Sequence, residues 1–252
     1  MNPPPSSPVI AWPDPARHAR FETWLAAVAT RHGLDGASLH SASSDASFRR
    51  YFRVAGAGGA SFIVMDAPPP QEDVRPFVAV AGLLAGAGLN APRIVEADAE
   101  HGFLLLSDLG TQLYLDVLNA AVARGDTKEV DALMRDAITA LVQWQSRADA
   151  SGLPPYDDAL LRRELALFPD WCVARELAVT WSAEQQATWQ TSCDLLVASA
   201  LAQASVAVHR DYMPRNLMVA SPNPGILDFQ DAVRGAISYD VASLLRDRKS
   251  VV

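Results

Sequence analysis

Apolar residues first recur at helical spacing. Phe21, Trp24, Leu25 and Val28 fall on one helix face, with Asp14-Pro15 ahead of them and Gly33 behind. Asp is a good N-cap, Pro fits the first helical turn and Gly suits a left-handed stop, so the pattern predicts a helix opening at Pro15 and ending at Gly33. The period then changes. Phe48 to Val54 alternates and is rich in aromatics, Gly56 to Gly59 makes a turn, and Ala60 to Met65 returns, which predicts a β-hairpin. Pro68-Pro69-Pro70 breaks the chain, Val74 to Ala87 reads as a helix ended by Gly88, and Ile94–Asp98 with Phe103–Ser107 forms another strand pair around His101-Gly102. After Asp108-Leu109-Gly110 the character shifts, and residues 112–203 read as mainly helical. Val130, Leu133, Met134, Ala137, Ile138, Leu141 and Val142 make an apolar stripe there, and Ser182 with Gln185 makes a capping box. The tryptophans of this region, Trp144, Trp171, Trp181 and Trp189, read as core. The pattern divides the chain into a proline-rich arm (1–13), a small α+β lobe (14–107) and a helical lobe (108–252), joined near Ser107–Gly110.

Composition narrows the classes. The 252 residues fit one two-lobed domain or two small ones, and half of them are hydrophobic, enough for a sizeable core. A net charge of −8 argues against nucleic acid and against docking on anionic membrane, both of which need a basic surface. The cysteines, Cys172 and Cys193, read as buried thiols in a reducing cytosol, and the histidines are too scattered for a zinc site. Residues 1–8 lack the basic-then-apolar pattern of a signal peptide, and the longest apolar run, Leu195 to Val208, is too short to span a bilayer. The expected location is the cytoplasm.

The chemistry concentrates late in the chain. His209-Arg210-Asp211, four further residues and Asn216 follow a short β-like run, Ser205–Val208, with the spacing of a kinase catalytic loop. Phosphoryl transfer needs a carboxylate beside the incoming hydroxyl and a neutral oxygen donor for Mg²⁺ nearby. Asp211 suits the first role and Asn216 the second. Asp228, in Leu227-Asp228-Phe229-Gln230, lies beyond two more β-like pieces, Leu217–Val219 and Gly225–Leu227. A hairpin there would return Asp228 to the same cleft, as a carboxylate for Mg²⁺ bridging the phosphates. His209 and Arg210 read as supports of the loop, and Asp66 as a strand-end turn.

The segment 205–245 resembles the aminoglycoside phosphotransferase and choline kinase superfamily, in Asp228-Phe229-Gln230 and in Ser238-Tyr239-Asp240-Val241-Ala242-Ser243-Leu244. Ser44 to Tyr51, Val64 to Pro69 and Leu105 to Gly110 are similar to the bacterial anomeric sugar kinases, which act on N-acetylmuramic acid and N-acetylglucosamine in cell-wall recycling. The resemblance covers the chain from about residue 37. It implies a protein-kinase-like two-lobed α+β fold, ATP and Mg²⁺ as cofactors, and a small-molecule acceptor, an amino sugar, phosphorylated at its anomeric hydroxyl. It also implies that Asp240 supports the catalytic loop, although the position reads equally well as a helix N-cap. On the nucleotide side, Ser43, Ser44 and Ser47 would form the turn over the phosphates, and Leu105, Leu106 and Ser107 the hinge strand offering backbone groups to adenine. Other acceptors of the superfamily (an aminoglycoside, choline, homoserine) and a nucleotide-binding module without turnover are the rival readings.

The chain departs from the wider kinase pattern at one point. Phe62–Met65 lacks the expected strand lysine, and the first lysine anywhere is Lys128. Arg49 or Arg50 is the expected substitute, and the alternation puts Arg49, Tyr51 and Arg53 on one face and Arg50 on the other. At the far end, Asp247-Arg248-Lys249-Ser250-Val251-Val252 lacks the apolar periodicity of a continuing helix and matches a sequencing-adapter read. The expectation is a truncated gene fragment with an incomplete helical lobe, its authentic sequence ending near Arg246 or Asp247.

Overall fold

The computed structural model describes residues 10–44 and 48–246. Residues 1–9 of the arm, 45–47 of the expected phosphate turn (Ser47 among them) and the expected fragment end at 247–252 lie outside the described residues.

Helix α1 (Pro15–His32) begins where the Asp14 side chain accepts the Ala16 N–H at 2.9 Å, and ends at Gly33 with φ 62°. Strands β1 (Leu34–Ser44), β2 (Arg50–Gly56), β3 (Ser61–Asp66), β4 (Ile94–Asp98) and β5 (Phe103–Ser107) form one antiparallel sheet in the order β1-β2-β3-β5-β4. Both predicted hairpins are present, β2–β3 pairing Arg50 with Asp66 and β4–β5 pairing Asp98 with Phe103. Helix α2 (Arg75–Gly86) lies between them in the chain.

Alternation along β3 and β5 separates the two larger of three apolar clusters. Val64, Phe103 and Leu105 pack with Phe21, Leu25 and Val28 of α1 and with Phe52 and Val54 of β2. Met65, Leu104 and Leu106 face the other way, into a cluster that runs from Phe77 and Leu84 of α2 through Leu141 and Trp144 to Tyr212 and Phe229. β5 is interior in the sheet and apolar on both faces, as its unbroken Phe-Leu-Leu-Leu run requires.

The rest is mainly helical: α3 (Tyr114–Arg124), α4 (Thr127–Arg147), α5 (Asp158–Leu167), a π-helical stretch (Phe168–Glu176) and α6 (Ala183–Leu201). The capping box on α6 is formed in both directions between Ser182 and Gln185. Trp144 is core as expected, whereas Trp171 remains 56 % exposed with Arg175 over its ring at 4.0 Å. Beyond α6, β6 (Ser205–Val208) pairs with a strand the sequence pattern does not announce, β9 (Val233–Ala236), and β7 (Leu217–Met218) pairs with β8 (Gly225–Ile226). Helix α7 (Tyr239–Leu245) closes the described chain. Among the described residues, no helix is long and apolar enough to cross a membrane.

Candidate active site

The loop after β6 is held by a residue about thirty positions further on. Asp240, fully buried in the first turn of α7, accepts the His209 N–H at 2.7 Å through Oδ2 and the Arg210 N–H at 3.0 Å through Oδ1. The α7 N-cap is Ser238, so Asp240 serves as the loop support and not as the cap. Arg210 has φ 78°, the left-handed conformation that turns the loop sharply before Asp211. Burial pushes Asp240 up to about 7 against its two amide donors, and the neighbouring Asp211 charge adds to the rise. His209 is also buried, and burial pushes its imidazole down to about 4, so it packs neutral against Tyr212 with ring centroids 5.6 Å apart. Its Nδ1 accepts the Asp211 N–H at 3.3 Å.

Asn216 joins the loop to the second carboxylate. Its amide nitrogen donates to the Asp211 carbonyl at 2.9 Å and to Asp228 Oδ2 at 3.3 Å, and Gln230 donates to Asp228 Oδ1 at 2.8 Å. The β7–β8 hairpin makes this approach possible, since the Leu227 N–H donates to the Asn216 carbonyl at 2.9 Å. Asp228 itself sits at φ 61°, and the next side chain, Phe229, packs on Phe77 of α2 with ring centroids 4.6 Å apart. A carboxylate and an amide carbonyl are hard oxygen donors of the kind Mg²⁺ takes, with substrate phosphates completing its shell. Among the described residues there is no cluster of three His, Cys, Asp or Glu that could hold a metal.

An open cavity of about 790 Å³ adjoins Asp211, lined in part by Tyr156, Arg210, Arg234, Tyr239 and Arg246. Arg210 and the Tyr156 hydroxyl both donate to Glu164 of α5, so the arginine supports the loop from the helical side.

The nucleotide-side expectations divide. Ser43 and Ser44 end β1 opposite Tyr51 and Arg50, at the end of the hairpin where Arg49 stands. Arg49 turns toward α2 and donates to Glu72 at 3.0 Å. Burial pulls the Arg49 guanidinium down, but the charges of Tyr51, Glu72 and Asp228 outweigh it and hold the group above its ordinary value. Arg50 points to the opposite face. It pairs there with buried Asp66, bonds the Ala11 carbonyl and lies 3.8 Å over the Trp12 ring. The sheet's alternation thus sets Arg50, the other expected phosphate group, on the α1 side, away from Arg49. Asp66 is no simple turn residue, because Arg17 of α1 takes its other oxygen. Leu105 and Leu106, the expected hinge residues, lie inside β5. β5 has β3 on one side and β4 on the other, so ladder bonds consume their backbone groups. The Ser107 N–H donates to the Arg93 carbonyl at 2.9 Å, and the Ser107 hydroxyl accepts the Arg93 N–H at 2.8 Å. The crossing that follows is fastened by Asp108, which accepts from Arg53 at 2.6 and 3.0 Å and from Ser61 at 2.6 Å. Glu72, Glu164 and the Asp66 pairing escape the sequence reading, since each lies in a stretch whose partner is distant in the chain.

The chain matches the model of the phosphotransferase enzyme family over residues 38–251. It is 56 % identical over 241 residues to an N-acetylmuramate/N-acetylglucosamine kinase of Pseudomonas aeruginosa, covering 93 % of this chain and 69 % of the relative. It is 59 % identical over 210 residues to the protein of the same description from Pseudomonas putida, covering 83 % of this chain and 60 % of that one. Among solved structures, it is similar to ADP-bound aminoglycoside phosphotransferase APH(2'')-Ib, with a TM-score of 0.63 at 15 % identity over 91 % of this chain and 75 % of the other. That likeness establishes a kinase-like fold.

Proposed function

Because this chain belongs to the phosphotransferase enzyme family, we propose that it moves the γ-phosphoryl group of ATP onto the anomeric hydroxyl of an N-acetylated amino sugar, N-acetylmuramate or N-acetylglucosamine. The observation that carries the reading is the convergence of Asp211, Asn216 and Asp228, bonded to one another directly or through backbone and anchored by Asp240. Asp211 orients the acceptor hydroxyl and takes its proton as the new O–P bond forms. The bond from the γ-phosphorus to the bridging oxygen breaks, and ADP leaves. Asn216 and Asp228 are the groups to hold Mg²⁺. When bound, the ion neutralises charge developing on the phosphoryl oxygens. The protein's own share is positioning: a loop fixed by buried hydrogen bonds meets the transition state with little reorganisation.

The cavity beside Asp211 has both Asp157 and the arginines Arg234 and Arg246 on its wall. The arginines suit the carboxylate that N-acetylmuramate carries. The sheet face of Arg49, next to the end of β1 at Ser43 and Ser44, receives the phosphates in this reading, and the segment after Ser107 receives adenine.

The test is Mg²⁺-dependent ADP release with N-acetylmuramate, N-acetylglucosamine, choline and kanamycin as acceptors, using Asp211→Asn as control. Turnover with an N-acetylated sugar, abolished in the control, is the expected result. ATP binding without stimulation by either sugar would refute the acceptor, and absence of nucleotide binding would refute the phosphotransferase reading itself.

A further inference from the structure

A nucleotide's phosphates need a fixed cation, and in protein kinases that cation is a strand lysine held by a glutamate of the adjacent helix. No lysine precedes Lys128 here, so the sheet must solve the problem with another residue. We propose that Arg49 is the phosphate-binding cation and Glu72 its positioning partner, a pair that rests on the phosphotransferase reading and serves the α- and β-phosphates of a nucleoside triphosphate.

Three observations support the pair. The first is contact: Arg49 Nε donates to Glu72 Oε2 at 3.0 Å, with the two side chains only 14 % and 15 % exposed, shielded enough for the pair to hold its geometry. The second is direction. Arg49 stands immediately before β2 on the face of Tyr51, and Tyr51 packs against the same cluster as Phe77 and Phe229. The Asp228 carboxylate is near enough for its field to reach the guanidinium. The third is linkage. Glu72 precedes α2 by three residues, and Phe77 of α2 packs on Phe229, the neighbour of Asp228. One short segment therefore sets both the cation's partner and the packing behind the second carboxylate.

The other arginines of the sheet are committed elsewhere. Arg50 lies on the α1 face with Asp66, and Arg53, midway along β2, is fastened to Asp108. An arginine is also suited to the double duty. Its fork carries five donors, so one edge holds a carboxylate while another meets phosphate, where a lysine would act as a single point charge.

The experiment is titration calorimetry of ATP, ADP and adenosine in Mg²⁺ on the full chain, comparing wild type with Arg49→Met, Arg49→Lys and Glu72→Gln, with melting temperatures taken alongside. The wild type should favour ATP over adenosine. Arg49→Met should weaken ATP on the order of 10- to 100-fold, the loss of one or two charge-assisted hydrogen bonds, and leave adenosine unchanged. Arg49→Lys should recover part of that loss. Glu72→Gln should weaken ATP less than Arg49→Met does and again spare adenosine, which a merely structural residue would not. An Arg49→Met protein that melts like wild type and keeps the full preference for ATP overturns the pair while leaving the phosphotransferase reading intact. Equal loss of ATP and adenosine overturns it as well. A wild type that binds no nucleotide overturns both. Should Arg49→Met fail to fold, the selectivity of Arg49→Lys and Glu72→Gln decides by the same criterion.

Discussion

Replacing Asp66 with asparagine isolates a buried charge that the chemistry does not use. Each carboxylate oxygen takes one guanidinium: Arg17 Nε donates to Oδ1 at 2.8 Å and Arg50 Nε to Oδ2 at 2.9 Å, each joined by the Nη2 of the same arginine. Asp66 has no exposed surface, and the Arg17 side chain is only 11 % exposed. Asparagine keeps the shape but removes the counter-charge and sets an amide N–H against a cation. Arg50, at 29 % exposure, can turn toward water, but Arg17 cannot do so without leaving Phe103, whose ring it covers at 4.5 Å. Breaking a buried pair from one side costs about 3–5 kcal/mol. For a chain of this size each kcal/mol moves the midpoint by roughly 2–4 °C, so the melting temperature should fall by about 6–20 °C. Differential scanning fluorimetry reads this directly, and Arg17→Met should cost more than Arg50→Met. Since Asp66 faces α1 and not the cleft, the ATP-to-adenosine affinity ratio of the folded variant should match wild type. A midpoint within about 3 °C of wild type would place the triad among surface ion pairs of negligible worth and refute the reasoning.

Asp211→Asn should lower kcat by roughly 10²- to 10⁴-fold, the usual yield of a positioned base, with ATP affinity unchanged by calorimetry. Arg234→Met should reduce the preference for N-acetylmuramate over N-acetylglucosamine in kcat/KM by roughly 10-fold or more, one charge-assisted hydrogen bond, and an unchanged ratio would remove Arg234 from recognition. Two buried groups work against each other in acid. His209, held at about 4 against an ordinary 6.5, gives stability present above pH 6.5 and lost as pH falls toward 4. Asp240, held at about 7 against 3.8, costs stability above pH 7 and relieves that cost as pH falls toward 3.8. Asp240→Asn removes only the second, so urea unfolding should show it losing about 2 kcal/mol more than wild type between pH 7 and pH 5. Equal slopes would contradict the assignment. Gly102→Ala should destabilise by more than about 2 kcal/mol in the same assay, because φ is 72° and the new methyl would sit 1.9 Å from the Ala67 carbonyl oxygen.

Much of this architecture is legible in local pattern. The Asp14-Pro15 start, the Gly33 stop, both hairpins and the Ser182–Gln185 box are short-range devices, and each stands where the sequence puts it. The His209–Asn216 loop is legible for the same reason. What pattern does not carry is pairing at a distance. Alternation separates Arg49 from Arg50, but only the packing of α1 on one sheet face says which arginine lies on the helix side. Glu72 lies in an irregular stretch after three prolines, where no periodicity marks its role. Leu105 and Leu106 have a hinge's position in the chain, yet interior pairing on both sides takes their backbone, which only the sheet order reveals. β9 escapes the pattern because its Val-Arg-Gly-Ala run is only four residues long, contains a glycine and depends on β6 to exist.

Beside the smaller cluster of Tyr156, Val208 and Val233, the two larger apolar clusters meet at a common wall, the strands β3 and β5, whose alternate side chains belong to one or the other. Neither cluster can open while the other stays closed without breaking those strands. The amides of Leu104 and Leu105 should therefore exchange with deuterium only through global unfolding, at the slowest rate in the chain, and the melting endotherm should be a single cooperative peak with matching calorimetric and van't Hoff enthalpies.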